Sequence, residues 1–226
     1  MKRYVLIVAG GKGIRMGNEL PKQFIPLNGR PVLMHTLERF YRWDISAEII
    51  LVLPETHQPY WNMLCKELNC RIPHKLANGG ETRFHSVQNG LSLVNEPGLV
   101  AVHDGVRPFV SVEVIEHCFT EAERSGAVIP VVPLVDSIRE RYDESGLSRP
   151  ADRGRLVAVQ TPQVFNSDWL FEAYRQAYRP DFTDDASVVE AKGYSVALTP
   201  GNQENIKLTT PFDLLVAEVY LRNQTE

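Results

Sequence analysis

The chain is poor in the residues that build staples and metal cages. Its 226 residues include three cysteines, Cys65, Cys70 and Cys118, an odd number with no C-x-x-C pair. That excludes a disulfide-framed fold and offers no structural zinc framework. The six histidines form no H-E-x-x-H or similar ligand pattern. No apolar run approaches the roughly 20 residues that a membrane helix needs. Met1-Lys-Arg-Tyr leads straight into a strand-like segment with no signal-peptide cleavage pattern. A cytoplasmic protein with no membrane partner is therefore expected. Positive charge is also scarce: 24 Lys and Arg against 28 Asp and Glu leave a net charge of -4. A broad nucleic-acid face would need the opposite balance, so no nucleic-acid partner is expected and any basic site must be local.

One local basic site is visible. Val8-Ala-Gly-Gly-Lys-Gly-Ile-Arg-Met-Gly leaves an apolar strand through a small-residue turn, and Lys12, Arg15 and Lys22 stand against the single Glu19. Such a turn bares backbone N–H groups to an anion. It is not a P-loop, because no Gly-Lys pair is followed by Ser or Thr. As a dinucleotide fingerprint it fails at the third glycine, where Met16 stands and Gly17 comes one residue late.

A hydrophobic content of 43% and a length of 226 residues suit one globular domain, 1–226, with a sizeable core. Runs rich in β-branched residues predict strands over Tyr4–Ala9, Glu48–Leu53, Leu99–His103, Ala127–Val132 and Tyr194–Leu198. Helices are predicted over Pro31–Trp43, from an N-cap at Ser111 to about Arg124, from an N-cap at Ser167, and over about Pro211–Arg222. This alternation predicts an α/β fold with a doubly wound, mostly parallel sheet and ligands at the carboxyl ends of its strands. The charged stretch from Pro133 to Val159 departs from it. A hairpin is predicted there, Ser137–Tyr142 turning through Asp143-Glu-Ser-Gly146 to Arg155–Val159. It reads either as a solvated loop or as an arm that pairs with a partner subunit.

Further polar segments follow strands: Gly79-Gly-Glu-Thr-Arg83 with Ser86-Val-Gln-Asn-Gly90, Val102-His-Asp-Gly-Val-Arg-Pro108, Gln160-Thr-Pro-Gln163, Thr183-Asp184 and Asn205-Ile-Lys207. Taken singly, each has an ordinary structural reading. Thr183-Asp184 could be an N-cap with a first-turn acid, and Asp104 and Arg107 a loop-bracing ion pair. In this order, with Pro21-Lys-Gln-Phe24 after the first turn, they resemble the 2-C-methyl-D-erythritol 4-phosphate cytidylyltransferases of the non-mevalonate isoprenoid pathway, a glycosyltransferase-A-like nucleotidyltransferase family.

The resemblance covers nearly the whole chain and implies a Rossmann-like sheet of the nucleotide-diphospho-sugar transferase type with a protruding β-arm. It implies transfer of CMP from CTP to methylerythritol phosphate with release of pyrophosphate. Ala9, Gly10, Gly11 and Gly13 would wrap the triphosphate, while Arg15 and Lys22 stabilise charge at the α-phosphate. Gly80, Glu81 and Ser86 would read cytosine, with Arg83 near the nucleotide. Asp104, Arg107, Thr161, Thr183 and Lys207 match positions around the acceptor and the reacting phosphates, Lys207 with a catalytic role. Asp104 is the implied protein ligand for Mg²⁺ or another divalent cation. Residues of about 134–158 would form the dimerisation arm of a homodimer, with Arg153 donated to the neighbouring subunit's acceptor phosphate. Two departures stand out: Gly10 replaces the second alanine of an Ala-Ala-Gly opening, and Gly105-Val106 an Ala-Ala pair.

Three other readings share parts of this pattern. A ribitol-5-phosphate cytidylyltransferase would keep the nucleotide half. An NAD(P)-dependent oxidoreductase would use Glu55, after the second strand, for a ribose hydroxyl. A non-catalytic nucleotide-binding module would not need Lys207 or an arm arginine.

Overall fold

A computed structural model describes residues 1–10, 20–142 and 146–223. Gly11, Gly13, Arg15 and most of the predicted turn at 143–146 lie outside the described residues.

The chain opens with β1 (Lys2–Val8) and a short ribbon, β2 (Pro26–Leu27) with β3 (Arg30–Pro31). Then come α1 (Val32–Trp43), β4 (Glu48–Leu53), α2 (Gln58–Glu67), β5 (Lys75–Asn78), α3 (Arg83–Leu91) and β6 (Gly98–Asp104). The second half holds α4 (Val112–Ser125), β7 (Ala127–Pro133), β8 (Arg139–Arg141), β9 (Ser148–Pro150), β10 (Val157–Val159), β11 (Gln163–Asn166), α5 (Ser167–Ala173), α6 (Asp185–Ala191), β12 (Ala197–Pro200) and α7 (Pro211–Asn223).

The main sheet runs in the order β10-β7-β11-β6-β1-β4-β5, with β12 also on β7. β1 lies parallel between β4 and β6, β5 is parallel to β4, and β12 is parallel to β7. β11 is antiparallel to both β6 and β7, and β10 is antiparallel to β7. The mostly parallel α/β sheet expected from the sequence is present, with a reversed strand near its middle.

The period of two in β1 sorts its residues onto two cores. Val5 and Ile7 pack with Leu33, Leu37 and Phe40 of α1, Trp61 of α2 and Ile115 and Phe119 of α4. Tyr4 and Leu6 face the other way, onto Phe84 and Val87 of α3, Leu170 of α5 and Val188 of α6. Helices therefore cover both faces, as near-continuous apolar strands require. A third cluster, Leu27, Val32, Phe109, Leu208 and Ala217, seats α7.

Ser111 caps α4 as predicted, its hydroxyl accepting from the Val114 N–H at 3.2 Å. Ser167 does not cap α5. Asn166 does, accepting from the N–H groups of Asp168 and Trp169, while the buried Ser167 hydroxyl accepts from the Gly98 N–H at 3.0 Å. Adjacent small polar residues compete for a cap, and here the demand of β6 for a partner decides between them. The last predicted strand is shifted, from Tyr194–Leu198 to Ala197–Pro200.

The stretch after β7 also differs from its prediction. The first strand of the hairpin, β8, pairs with β9 rather than with Arg155–Val159, and the two form a separate two-stranded sheet. Val157–Val159 instead joins the main sheet, with Val157 opposite Pro133 and Val159 opposite Val131. Arg139 braces the ribbon through Ser148, from Nε to Oγ at 2.7 Å, and Arg149 pairs with Glu140 at 2.6 Å. Val135, Tyr142 and Leu147 remain 60–76% exposed.

Candidate active site

Parallel strands deliver their loops to one edge. Val8 and Asp104 are register partners at the ends of β1 and β6, so the turn carrying Ala9 and Gly10 starts beside the Asp104 loop. The Ala9 N–H donates to the Val52 carbonyl at 3.0 Å and the Gly105 N–H to the Val8 carbonyl at 2.9 Å. A Cβ on Gly105 would lie 2.7 Å from the Ala9 Cβ. The glycine at position 105 thus lets these two turns approach closely.

After β5, the turn at Gly79 and Gly80 opens α3. Thr82 is its N-cap, and Ser86 closes the turn from inside: the Gly80 N–H donates to Ser86 Oγ at 3.0 Å, and that hydroxyl donates to the Thr82 carbonyl at 2.9 Å. A Cβ on Gly80 would stand 2.4 Å from the His85 Cβ and 2.7 Å from its carbonyl carbon, so the backbone packs too tightly for any side chain. Glu81 is exposed at the tip.

The densest chemistry lies across the sheet edge. Asp104, Arg107, Thr161, Thr183, Lys207 and Arg83 line one cleft of about 290 Å³, together with Val159, Gln160, Gln163 and Asp184. Asp104 is its electrostatic centre. Its Oδ2 lies 3.1 Å from Arg107 Nε and 3.0 Å from Lys207 Nζ, and its Oδ1 lies 3.8 Å from Arg83 Nε. Burial alone would raise the Asp104 carboxyl, but the pull of Arg83, Lys207 and Arg107 outweighs it and holds the group well below the ordinary carboxylate range.

Arg83 reaches in from the first turn of α3, and its far side is anchored. Its Nη1 donates to Oδ1 of the fully buried Asp185 at 2.7 Å and its Nη2 lies 2.6 Å from Oδ2 as an ion pair, while Oδ1 also accepts from Tyr174 Oη at 2.5 Å. Burial would lower the Arg83 guanidinium, but Asp185 and then Asp104 keep it above its ordinary value. Asp184, rather than Thr183, caps α6: its side chain accepts from the Ser187 N–H at 2.9 Å and Ser187 reciprocates, forming a capping box. Gln163 ties β11 to that helix start, donating to Asp184 Oδ2 at 2.9 Å and accepting from the Ala186 N–H at 2.9 Å.

His103, fully buried, is the histidine behind this edge. Burial pushes its imidazole down to about 4, partly offset by its bond to the Arg107 carbonyl, so it is neutral near pH 7. Asn205 and Gln160 join the Lys207 segment to Thr161: Asn205 Nδ2 donates to the Thr161 carbonyl at 2.8 Å and Gln160 Nε2 to the Asn202 carbonyl at 2.9 Å.

Of the other expected site residues, Lys22 opens a short helical turn, Lys22–Phe24, soon after the described chain resumes at Leu20. Arg153 lies in the exposed turn Arg153–Arg155, where its guanidinium donates to the Val135 carbonyl, and it does not line the cleft. Asp185, Tyr174, Gln163 and His103 join the site only through the fold. In the sequence their one mark is adjacency, His103 to Asp104, Gln163 to Thr161-Pro162 and Asp185 to Asp184, while Tyr174 carries none.

Residues 4–223 match the family model described as 2-C-methyl-D-erythritol 4-phosphate cytidylyltransferase. The chain belongs to that family. It is 59% identical over 221 residues to the 2-C-methyl-D-erythritol 4-phosphate cytidylyltransferase of Bacteroides fragilis and 57% identical over 221 residues to that of Bacteroides thetaiotaomicron; each alignment covers 98% of this chain and 100% of the relative. The crystal structure of the cytidylyltransferase from Thermus thermophilus superposes with a TM-score of 0.80 at 35% identity, covering 98% of this chain and 100% of that one. The reversed β11 contributes to the cleft, because the chain enters it through Gln160 and Thr161, which line it beside Gln163.

Proposed function

We propose that this cytidylyltransferase transfers CMP from CTP to 2-C-methyl-D-erythritol 4-phosphate, giving 4-diphosphocytidyl-2-C-methyl-D-erythritol and pyrophosphate. The observation that carries the reading is the convergence of Arg83, Arg107 and Lys207 on Asp104 at the carboxyl edge of the sheet, in a chain of this family.

The geometry suits an attack that needs charge neutralised more than protons moved. A phosphate monoester has a second pKa of about 6, so the acceptor arrives largely dianionic at pH 7 and needs no general base. Among the described residues the cleft offers none that is free: Asp104 is held ionised among cations, both Asp184 oxygens accept hydrogen bonds from Gln163 and Ser187, and both His103 nitrogens are engaged. Lys207 and Arg107 can exchange part of their pairing with Asp104 for phosphate oxygens as substrates enter. Arg15 and Lys22 are assigned to the α-phosphate, where charge develops during in-line displacement. Gly80, Glu81 and Ser86 are assigned to the cytosine edge.

Mg²⁺ is part of the same reading. Among the described residues no three His, Cys, Asp or Glu side chains gather as a metal cage. A single carboxylate ligand, Asp104, fits an ion held mainly by substrate oxygens, as Mg²⁺ on a triphosphate is, while Asp184 is taken up by its own hydrogen bonds. Bound there, the ion would neutralise phosphate charge as a Lewis acid.

The enzyme is further proposed to act as a cytoplasmic homodimer in which the arm reaches the partner and Arg153 meets its acceptor phosphate. The exposed Val135, Tyr142 and Leu147 on the arm support this. Among the described residues no helix is long and apolar enough to cross a membrane.

The deciding experiment measures pyrophosphate release with CTP and Mg²⁺, supplying methylerythritol 4-phosphate or ribitol 5-phosphate at equal concentration. Release with methylerythritol phosphate alone is expected. A preference for ribitol phosphate would overturn the acceptor, and release with neither would overturn the activity.

A further inference from the structure

Four residues behind the cleft close a ring of hydrogen bonds. The Asp104 N–H donates to Thr161 Oγ at 3.1 Å, Thr161 Oγ lies 3.0 Å from His103 Nδ1, His103 Nε2 lies 3.0 Å from the Arg107 carbonyl, and the Arg107 N–H returns to the Asp104 carbonyl at 3.1 Å. The donors and acceptors in this ring leave no choice of direction. A carbonyl only accepts, so His103 Nε2 must carry the hydrogen. In a neutral ring Nδ1 is then a bare lone pair, and the Thr161 hydroxyl must give it its hydrogen. One lone pair of Thr161 Oγ is taken by Asp104, which leaves the other as its only remaining capacity. Thr161 lines the cleft, yet it has no hydrogen left to offer a phosphate oxygen.

The ring also sets the aim of Arg107. Its carbonyl is held by His103, its Nη1 donates to the Asn205 carbonyl at 2.7 Å, and its Nε is left on Asp104. The Phe40 ring meets the His103 imidazole edge-on at 4.8 Å, fixing its plane from the α1 side. Thr36, from the same helix, donates to the Gly105 carbonyl at 3.0 Å.

We propose that His103 is a positioning residue for the acceptor half of the site: as the Nε2–H tautomer it turns Thr161 into an acceptor-only group and holds Arg107 toward Asp104. Resting on the cytidylyltransferase reading, this assigns Thr161 to a hydroxyl of the acceptor's polyol chain, not to its phosphate. The phosphate is left to Arg107, Lys207 and Arg153. The nucleotide half lies on β1 and α3, outside the ring, and depends on none of these bonds.

Two measurements test it. Nitrogen-15 NMR of histidine-labelled, substrate-free protein at pH 7, with the His103→Gln spectrum identifying the signal, should show His103 as the Nε2–H tautomer. An Nδ1–H tautomer or a charged ring would overturn the proposal whatever the substrate proves to be. In kinetics, His103→Phe leaves the Thr161 hydroxyl and the Arg107 carbonyl without their partner, so the KM for the acceptor should rise about tenfold or more while that for CTP stays within about twofold. Gln supplies both a donor and an acceptor, so His103→Gln should return the acceptor KM to within about threefold of wild type. A folded Phe variant with an unchanged acceptor KM, or with both KM values raised alike, would overturn the proposal. Should the Phe variant fail to fold, the Gln variant and the tautomer decide. Wild-type protein that is inactive with methylerythritol phosphate would refute the functional reading and leave the tautomer result standing.

Discussion

Arg83 and Asp185 sit 102 residues apart in sequence and form a two-pronged ion pair, Nη1 to Oδ1 at 2.7 Å and Nη2 to Oδ2 at 2.6 Å. The carboxylate is fully buried and the guanidinium is part-exposed, so the pair spans the boundary between core and cleft. It fixes the first turn of α3, which carries the Gly80 and Ser86 turn, against the start of α6, which carries Thr183 and Asp184. The two turns proposed to hold nucleotide and acceptor are thereby set at one spacing.

Replacing Asp185 with Asn keeps the shape but turns an amide N–H toward the guanidinium. A loss of about 2–4 kcal/mol in folding stability is expected, below the full cost for a deeply buried pair because Arg83 is partly solvated. Urea denaturation measures it. A change under about 0.5 kcal/mol would mean that the pair does not hold the two helices.

Arg15→Ala and Lys22→Ala should lower kcat about a hundredfold or more while weakening CTP binding less than tenfold, because they act on charge that grows in the transition state. Comparison of turnover with the CTP dissociation constant separates the two effects. A dissociation constant that accounts for the whole loss would reduce both residues to binding groups.

The dimer proposal is tested by complementation. Arg153→Ala should raise the acceptor KM about tenfold and leave the CTP KM within about twofold. Mixed with inactive Lys22→Ala protein, it should regain about a quarter of wild-type activity, since half of randomly formed dimers carry one intact composite site. Subunit exchange without recovery would place the whole site in one chain.

Acid stability should carry a histidine signature. The His103 ring falls to about 4 in the folded chain against an ordinary 6.5, so between those values the unfolded chain binds a proton that the folded one does not. The contribution is complete above pH 6.5 and is lost as pH falls toward 4, a difference of up to about 3 kcal/mol. Folding free energy measured from pH 7 to 4 should therefore drop less in His103→Gln than in wild type. Equal slopes would show that the ring takes up its proton alike in the folded and the unfolded chain.

Much of this architecture was legible because long buried strands advertise themselves. Tyr4 to Ala9 and Glu48 to Leu53 read as strands from β-branched runs alone, and Ser111 as a cap from its place before an amphipathic stretch. Lys75–Asn78 and Gln163–Asn166 did not, since four mixed residues become strands only through their neighbours. The site was legible as segments, not as contacts. Asp104 and Arg107 stood out together, whereas Asp185 beneath Arg83 and Thr161 beside His103 are joined only by folding.

The arm leaves and rejoins the body at one place, since Pro133 and Val157 are opposite one another across a ladder. Whatever lies between them is a closed loop hung from a fixed clasp. Lengthening such a loop costs only the slow logarithmic growth of closure entropy, about 0.6 kcal/mol per doubling. The length of that loop can therefore change at little cost in folding free energy while the ladder that closes it, and the cleft beside it, stay in register.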